Sequence, residues 1–234
     1  IRQAEGYIRY SISSPDTQPF KRWFKDSRVV DKDGNPLVMY HATKTPEEGA
    51  DLFSVFNKSD DGKLGQGIYT TAVEKYAESF APNGVVMPLW VSIQNPLYLD
   101  LTASIQKGRS ARDILRSKIA GEEPSREVDY LRLDGNGSRE ISNGLNAEIQ
   151  AITGKRMMDM SGASIKRALQ KAGYDGIIVR DTDGNFVEVN AFDQTQIKSA
   201  VGNRGTYSES NKDIRYSLRE FKLNDLPKTK QTYT

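Results

Sequence analysis

Cysteine is absent from the 234-residue chain, and histidine occurs only once, at His41. Without cysteine the protein can form no disulfide bond, no thiolate nucleophile and none of the commonest zinc sites. A single histidine further excludes a multi-histidine metal centre, so we expect no bound metal. No apolar run approaches the roughly 20 residues that a membrane-spanning helix requires, and no signal-peptide pattern is present.

An excess of either charge is also lacking, because 33 basic and 31 acidic side chains leave a net charge of +2. This balance gives no argument for nucleic acid or a membrane as the main partner. Contents of 37% hydrophobic and 27% charged residues predict a globular domain with exposed tails. Because the chain starts at Ile1 rather than at methionine, we expect it to be a piece of a longer polypeptide.

Both ends of the chain have the composition of linkers. We predict three segments: a linker from a preceding module at 1–19, a folded domain at 20–205 and a C-terminal tail at 206–234. From Gly202 onward small and polar residues predict exposure to solvent. The phrase I-R-Y-S-I at 8–12 returns as I-R-Y-S-L at 214–218. One short repeat does not predict a solenoid, and it indicates similar junctions on both sides of a module.

Hydrophobic spacing and turn residues divide the domain into short elements. Phe20, Trp23 and Phe24 predict a helix within 20–27, and Asp33-Gly34 predicts a hairpin over 29–40 whose second strand ends at His41. Pro88 predicts that its strand is an edge strand or contains a bulge. The other predicted elements are a helix at 72–81, strands at 85–93 and 96–100, a helix at 111–120, a Gly-rich break at 134–138, helices at 145–153 and 164–172 with a stop at Gly173, and strands at 174–180 and 186–192.

Two segments are predicted to lie outside regular structure or on the surface. Residues 44–66 form a long loop, with Phe53 and Phe56 as anchors, and a loop of this length in a compact domain is more often a functional flap than a simple connection. A group of basic residues is more typical of the solvated face of a helix than of a nucleic-acid site; it comprises Lys107, Arg109, Arg112, Arg116 and Lys118.

Three sequence phrases carry the functional prediction: Y-H-A-T-K at 40–44, G-x-G-I-Y-T-T at 65–71 and V-E-V-N-A-F-D-Q-T-Q-I-K at 187–198. Taken alone, each is open to a simpler interpretation. A histidine at a strand end is more often structural, Tyr69 and Phe80 also fit core packing, and Glu188 fits the solvent face of an alternating strand. Their occurrence together and in this order favours a common function.

In this order and on strands, the three phrases resemble the His-Tyr-Glu class of ADP-ribosyltransferases, which includes the diphtheria-like toxins and the poly-ADP-ribose polymerases. The resemblance is strongest to the ADP-ribosyltransferase modules of phage-derived polyvalent proteins, where phrases like QIKSA-GN-G and DIRYSL also occur. It implies an α+β fold, a split β-sandwich of mixed and antiparallel strands with flanking helices and a helical insertion around 101–173. It also implies NAD as substrate and a macromolecular acceptor for ADP-ribose.

The same resemblance assigns Glu188, His41 and Tyr69 as catalytic residues. A carboxylate at Glu188 would stabilise the oxocarbenium-like centre that forms when nicotinamide leaves the ribose. Tyr69 and Phe80, eleven positions apart, would form the walls of a slot for the flat nicotinamide ring. His41 would orient a ribose hydroxyl of NAD.

Further NAD-binding roles are implied for the backbone of Ala42, which binds the carboxamide, and for Thr43, which supports the strand end. Thr70 and Thr71 would let the ligand approach as small residues. Lys44 or Lys63, on the loop that covers the donor, would meet the pyrophosphate.

Two positions depart from the pattern of the class. Ala42 stands where the class usually has glycine. Phe186 stands two residues before Glu188, where arginine-modifying members carry an acidic or amide residue, so this chain does not resemble that subgroup.

Two other functions remain open at this stage: an NAD glycohydrolase, with water as acceptor, and a non-catalytic NAD-binding interaction module of a phage-like polypeptide. The acceptor stays open among protein, RNA and DNA. We expect a monomer as an isolated domain, acting as a toxin or effector in a bacterial or host cytoplasm.

Overall fold

The protein was analysed as a computed structural model that describes residues 15–43, 62–81, 84–101, 135–201, 203 and 207–214, with the backbone alone at 135–138. Several predictions lie outside these residues. They concern the repeat phrase at 8–12, most of its copy at 214–218, the loop anchors Phe53 and Phe56, Lys44, the helix at 111–120 and the basic group between Lys107 and Lys118.

Four α-helices and seven β-strands lie in the described part of the chain. In chain order they are α1 (Gln18–Phe24), β1 (Met39–Thr43), β2 (Ile68–Thr70), α2 (Glu74–Phe80), β3 (Val85–Val91), β4 (Pro96–Asp100), α3 (Gly135–Thr153), α4 (Gly162–Lys171), β5 (Gly176–Arg180), β6 (Phe186–Ala191) and β7 (Ile197–Ser199). Short 3₁₀ turns at Met157–Asp159 and Gln194–Gln196 precede α4 and β7.

The strands form two sheets. The first has the order β1-β3-β7 and is antiparallel, and the second has the order β2-β6-β5-β4. In the second sheet β4 and β5 are parallel, whereas β6 is antiparallel to both β5 and β2. A parallel pair needs a long crossover, and α3 and α4 lie in the connection from β4 to β5. The predicted α+β fold with two sheets and flanking helices is confirmed.

Two apolar clusters hold these layers together. One lies between the sheets and joins Met39 and Leu89 of the first sheet to Ile178 and Val189 of the second. The other lies on the opposite face of the second sheet, where residues of β4 and β5 pack against the helices α3 and α4. On α3 the buried residues recur every four positions; they are Ile141, Leu145 and Ile149.

The predicted N-terminal helix is confirmed as α1. Its N-cap Thr17 accepts a hydrogen bond from the Phe20 backbone N–H at 3.3 Å, which satisfies one of the unpaired donors of the first turn. The three predicted apolar residues are buried. The ring of Phe20 meets Tyr207 edge-on at a centroid distance of 5.0 Å, so a residue from the C-terminal region completes this aromatic cluster.

The prediction of an exposed tail from Gly202 onward is wrong for part of the segment. Tyr207 is 3% exposed and Ile214 is fully buried. The buried Lys198 ammonium donates to the Asn211 carbonyl at 2.7 Å, which ties this segment to β7. The buried residues described in this segment, Asn203, Tyr207 and Ile214, are isolated within a polar stretch, so the composition resembles that of a tail.

Two local expectations are also wrong. Pro88 lies on β3, the central strand of its sheet, rather than on an edge. The Ala200 N–H donates to the Pro88 carbonyl at 3.0 Å, just after β7 ends at Ser199, so the missing N–H of the proline affects only the end of that ladder. The predicted break at 134–138 falls in α3, which begins at Gly135 because packing of its later turns extends the helix.

The remaining boundaries agree closely with prediction. The hairpin over 29–40 is present as a single bridge between Val30 and Pro36. The last helix ends where Gly173 adopts a φ of +100°, a conformation that glycine tolerates. No helix in the described ranges is both long and apolar enough to cross a membrane.

Candidate active site

The candidate site lies where the two sheets separate. The bridge between Tyr40 of β1 and Thr71, which follows β2, is made of two hydrogen bonds, Tyr40 N–H to Thr71 O at 2.7 Å and Thr71 N–H to Tyr40 O at 3.0 Å. Beyond this point β1 pairs with β3 and β2 pairs with β6. We call the space between β1 and β2 beyond this bridge the candidate cleft; His41 lies on β1, Tyr69 on β2 and Glu188 on β6, which pairs with β2.

His41 connects the two sides of this cleft. The prediction that the strand ends at His41 is wrong, because His41 lies in the middle of β1. Its Nδ1 lies 2.6 Å from the Tyr69 backbone carbonyl oxygen. Because a carbonyl can only accept, Nδ1 donates in this contact. Burial lowers the pKa of His41. The ring is therefore neutral near pH 7, with Nε2 in the acceptor form that a ribose hydroxyl can donate to.

Glu188 is a partly buried carboxyl group on β6. A register shift before it pairs Val179 with Glu188 but Arg180 with Phe186, which leaves Val187 as an extra residue in the strand. Such bulges change the direction of neighbouring side chains. Burial raises the pKa of Glu188 to about 7, against the opposing effect of the Lys63 charge. Within the described ranges no group hydrogen-bonds this carboxylate.

Tyr69 shares a sheet face with Glu188. Its partner in register is Asn190, two residues after Glu188, so the two side chains are diagonal neighbours. Burial raises the pKa of Tyr69, and the charge of Glu188 adds to this effect. The hydroxyl group accepts from the Leu64 N–H at 3.0 Å and donates to the Gly65 carbonyl at 2.6 Å. The hydroxyl thus anchors the preceding loop, and the side chain packs against the apolar cluster on the helix side of the sheet.

Tyr76 lies on α2 and is not among the predicted site residues. Burial raises its pKa to about 12, and the charge of Glu188 contributes to the same shift, so α2 places this phenol near the carboxylate. Its ring meets Phe80 edge-on at a centroid distance of 4.9 Å. Phe80 is 63% exposed, and its contact with Tyr76 links it to the surroundings of Glu188. No sequence signal separated Tyr76 from a core residue.

Of the other predicted NAD-binding residues, two follow His41 on β1 and one has its side chain on the opposite sheet face. Ala42 and Thr43 continue β1 beyond His41, opposite Val86 and Val85. Thr70 points away from the Tyr69 face: it is 3% exposed and its hydroxyl donates to the Val189 carbonyl at 3.4 Å. The structure does not bring that side chain to the cleft.

Thr71 is buried, and its hydroxyl accepts from the Val73 N–H at 3.3 Å, just before α2. Lys63 lies near Glu188 and is exposed. No cluster of three potential metal-ligating residues occurs in the part of the chain that the structure describes.

Asn190 is a site-facing residue that the sequence interpretation did not select. It is fully buried and its Nδ2 donates to the Leu64 carbonyl at 3.2 Å, while its Oδ1 has no hydrogen-bond partner. A buried unsatisfied polar atom costs about 1–3 kcal/mol. Strand alternation places Asn190 on the same face as Glu188, and this was the available signal.

No curated protein sequence matches this chain. A solved structure described as "Crystal structure of an anti-CRISPR protein" matches with a TM-score of 0.26 and 14% identity, over 67% of this chain and 90% of that chain. So low a TM-score carries no argument. A family model described as "ADP-Ribosyltransferase in polyvalent proteins" matches residues 31–207, which is most of the chain and includes His41, Tyr69 and Glu188. The chain therefore belongs to the family of ADP-ribosyltransferases of polyvalent proteins.

Proposed function

We propose that this domain cleaves the nicotinamide–ribose bond of NAD and transfers ADP-ribose to a macromolecular acceptor. One observation carries the proposal: the partly buried Glu188 carboxyl lies on the same sheet face as Tyr69, whose carbonyl is bound by the His41 ring across the cleft. Membership of an ADP-ribosyltransferase family supports the reaction class, and the residue roles are part of the proposal.

The reaction breaks the bond between ribose C1′ and the nicotinamide nitrogen. The bonding electron pair goes to the ring nitrogen, which loses its positive charge, and C1′ acquires positive charge. A carboxylate near C1′ stabilises a charge that exists mainly in the transition state, which is the condition for catalysis. The acceptor then adds to C1′ and loses a proton. Glu188 is the carboxylate that we assign to this role.

The neighbouring side chains suit the remaining parts of NAD. His41, neutral and held through Nδ1, presents Nε2 as an acceptor for a ribose hydroxyl. Tyr69 and Phe80 provide aromatic surfaces for nicotinamide, and such stacking contributes about 0.5–1.5 kcal/mol per ring pair. Lys63 adds positive charge beside the carboxylate and suits the pyrophosphate. The backbone of Ala42 and the hydroxyl of Thr43 complete the proposed set.

Incubation of the domain with NAD labelled in its adenylate part tests the proposal. We expect stoichiometric release of nicotinamide and transfer of label to protein or nucleic acid in a host extract. Release of nicotinamide without labelled macromolecule would identify water as the acceptor and an NAD glycohydrolase. Binding of NAD by calorimetry without any turnover would instead favour a non-catalytic NAD-binding module.

A role as a toxin or effector in a bacterial or host cytoplasm is a further part of this proposal. It is supported by the reaction class, because modification of one essential component can stop growth. We expect expression of the domain in bacteria to slow growth and the Glu188→Gln variant to leave growth unaffected. Equal growth with both proteins would remove the support for this role.

A further inference from the structure

Asn190 occupies a polar position on an otherwise apolar part of a sheet face. It pairs in register with Ile177 of β5, which in turn pairs with Leu97 of β4. Both of these neighbours are buried in the cluster between the sheet and the helices. A fully buried amide at such a position needs a reason other than hydrophobic packing.

The amide group of Asn190 contacts the loop that precedes β2. Its Nδ2 donates to the Leu64 carbonyl at 3.2 Å. Its Oδ1 lies against the backbone of Gly67, where an added Cβ would come within 1.7 Å of that oxygen. The loop thus approaches β6 as closely as a residue without a side chain permits.

The Tyr69 hydroxyl holds the same loop from its other side. It accepts from the Leu64 N–H and donates to the Gly65 carbonyl. A Cβ at Gly62 would lie 2.0 Å from this oxygen, so the loop backbone also packs directly on the phenol. Leu64 is therefore bound through both its N–H and its carbonyl group, and its side chain is fully buried.

We propose that Asn190 is a positioning residue of the active site, which holds the loop from Gly62 to Gly67 against β6 and thereby sets the Tyr69 ring and Lys63 relative to Glu188. The expected effect on NAD cleavage rests on the proposed function. The claim that Asn190 fixes the loop rests on the contacts of Leu64 alone. Asn190 acts through the loop and is not itself a catalytic residue.

The choice of side chain supports this role. Leucine branches at Cγ as asparagine does, with the same number of side-chain heavy atoms, and is larger and without polar atoms, so at this apolar position it would leave no unsatisfied oxygen. A residue selected for stability alone would be apolar, as its neighbours on β5 and β4 are. Asparagine retains a bond to the loop that leucine cannot make.

The first test compares Asn190→Leu with the unmodified protein by amide hydrogen exchange in the peptide spanning residues 62–70. We expect the amides of this peptide to exchange about fivefold faster or more, because one bond that closes the loop is lost. This measurement needs no enzymatic activity. Unchanged exchange in this peptide would overturn the inference, whether or not the proposed function is correct.

The second readout is the pH dependence of kcat/KM for NAD cleavage. In the described residues the charge that acts on the pKa of Glu188 is that of Lys63 from the loop, and Glu188 in turn raises the pKa of Tyr69 on β2 and of Tyr76 on α2. Lys63 favours the charged form of Glu188, so release of the loop shifts the acid limb of the profile to higher pH. We also expect kcat/KM to fall about 10- to 100-fold from misplacement of the ring.

The matched control is Asn203→Leu, which removes another buried asparagine whose Nδ2 donates to a backbone carbonyl, that of Ile214 at 3.4 Å. We expect it to change thermal stability without moving the acid limb or the exchange of residues 62–70. If both variants shift the profile equally, Asn190 has only a structural role and the inference is wrong.

Tyr69→Phe is the second variant, and it removes the hydroxyl that binds Leu64 while keeping the ring. We expect it to accelerate exchange of the same peptide as Asn190→Leu does. If Asn190→Leu fails to fold, Asn190→Ala, which also removes the bond to Leu64, replaces it in the same measurement, and unchanged exchange of residues 62–70 contradicts the inference. Absence of NAD cleavage by the unmodified protein would count against the proposed function only.

Discussion

Glu188→Gln should reduce NAD cleavage by about 10²–10³-fold, the usual loss when one group that stabilises transition-state charge is removed. Glutamine keeps the size of the side chain and its place on β6 beside the bulge at Val187. It cannot supply negative charge to the ribose carbon as nicotinamide leaves. We therefore expect kcat to fall much more than KM changes, measured by nicotinamide release at pH 8, where Glu188 is ionised.

The matched control is Glu148→Gln, on helix α3. Glu148 is a carboxylate that accepts a hydrogen bond from the Tyr174 hydroxyl at 2.9 Å, outside the proposed cleft. The Glu148→Gln variant should cleave NAD at the rate of the unmodified protein. Comparable cleavage by Glu188→Gln and the unmodified domain would remove Glu188 from the mechanism.

Glu188→Gln should also make the folded protein more stable above neutral pH. The pKa of Glu188 is raised from 4.5 to about 7 by burial, so the folded state resists ionisation of this group. Below about pH 4.5 the carboxyl is protonated in both states and contributes no difference. As pH rises to 7, the unfolded chain gains from ionisation that the folded state lacks. Above pH 7 the penalty reaches at most about 3 kcal/mol.

Urea unfolding of both proteins from pH 4 to pH 8 measures this effect. Glu188→Gln should match the unmodified protein near pH 4 and exceed it increasingly up to pH 7, with a constant difference beyond. A difference that is independent of pH would show that Glu188 ionises in the folded state as it does in the unfolded chain. Gain in stability together with loss of activity is the pattern expected of a buried functional carboxylate.

Local sequence was sufficient to predict most elements of the fold. The spacing of Phe20, Trp23 and Phe24 predicted α1, and Gly173 predicted the end of α4, because helix faces and stops depend on neighbouring residues. Predictions failed where a distant partner decides the outcome. Pro88 is tolerated in a central strand because β7 ends beside it, and Tyr207 is buried by rings from α1.

The residues of the candidate site also fall into those that local sequence predicted and those that only the tertiary structure revealed. His41, Tyr69 and Glu188 were selected because each lies in a phrase that resembles a known family. Tyr76 and Asn190 were not selected. The proximity of Tyr76 to Glu188 depends on how α2 packs, and the partner of Asn190 is Leu64, more than a hundred residues away in sequence. Neither relation leaves a local pattern.

The sequence by itself determined the family, the order of most helices and strands, and a set of candidate residues, because these depend on local chemistry and spacing. Only the tertiary structure decided that the His41 ring binds the Tyr69 carbonyl, that the side chain of Thr70 faces away from the cleft, and that Glu188 is buried enough to titrate near pH 7. These properties follow from strand pairing and desolvation, which arise only when residues far apart in sequence come together.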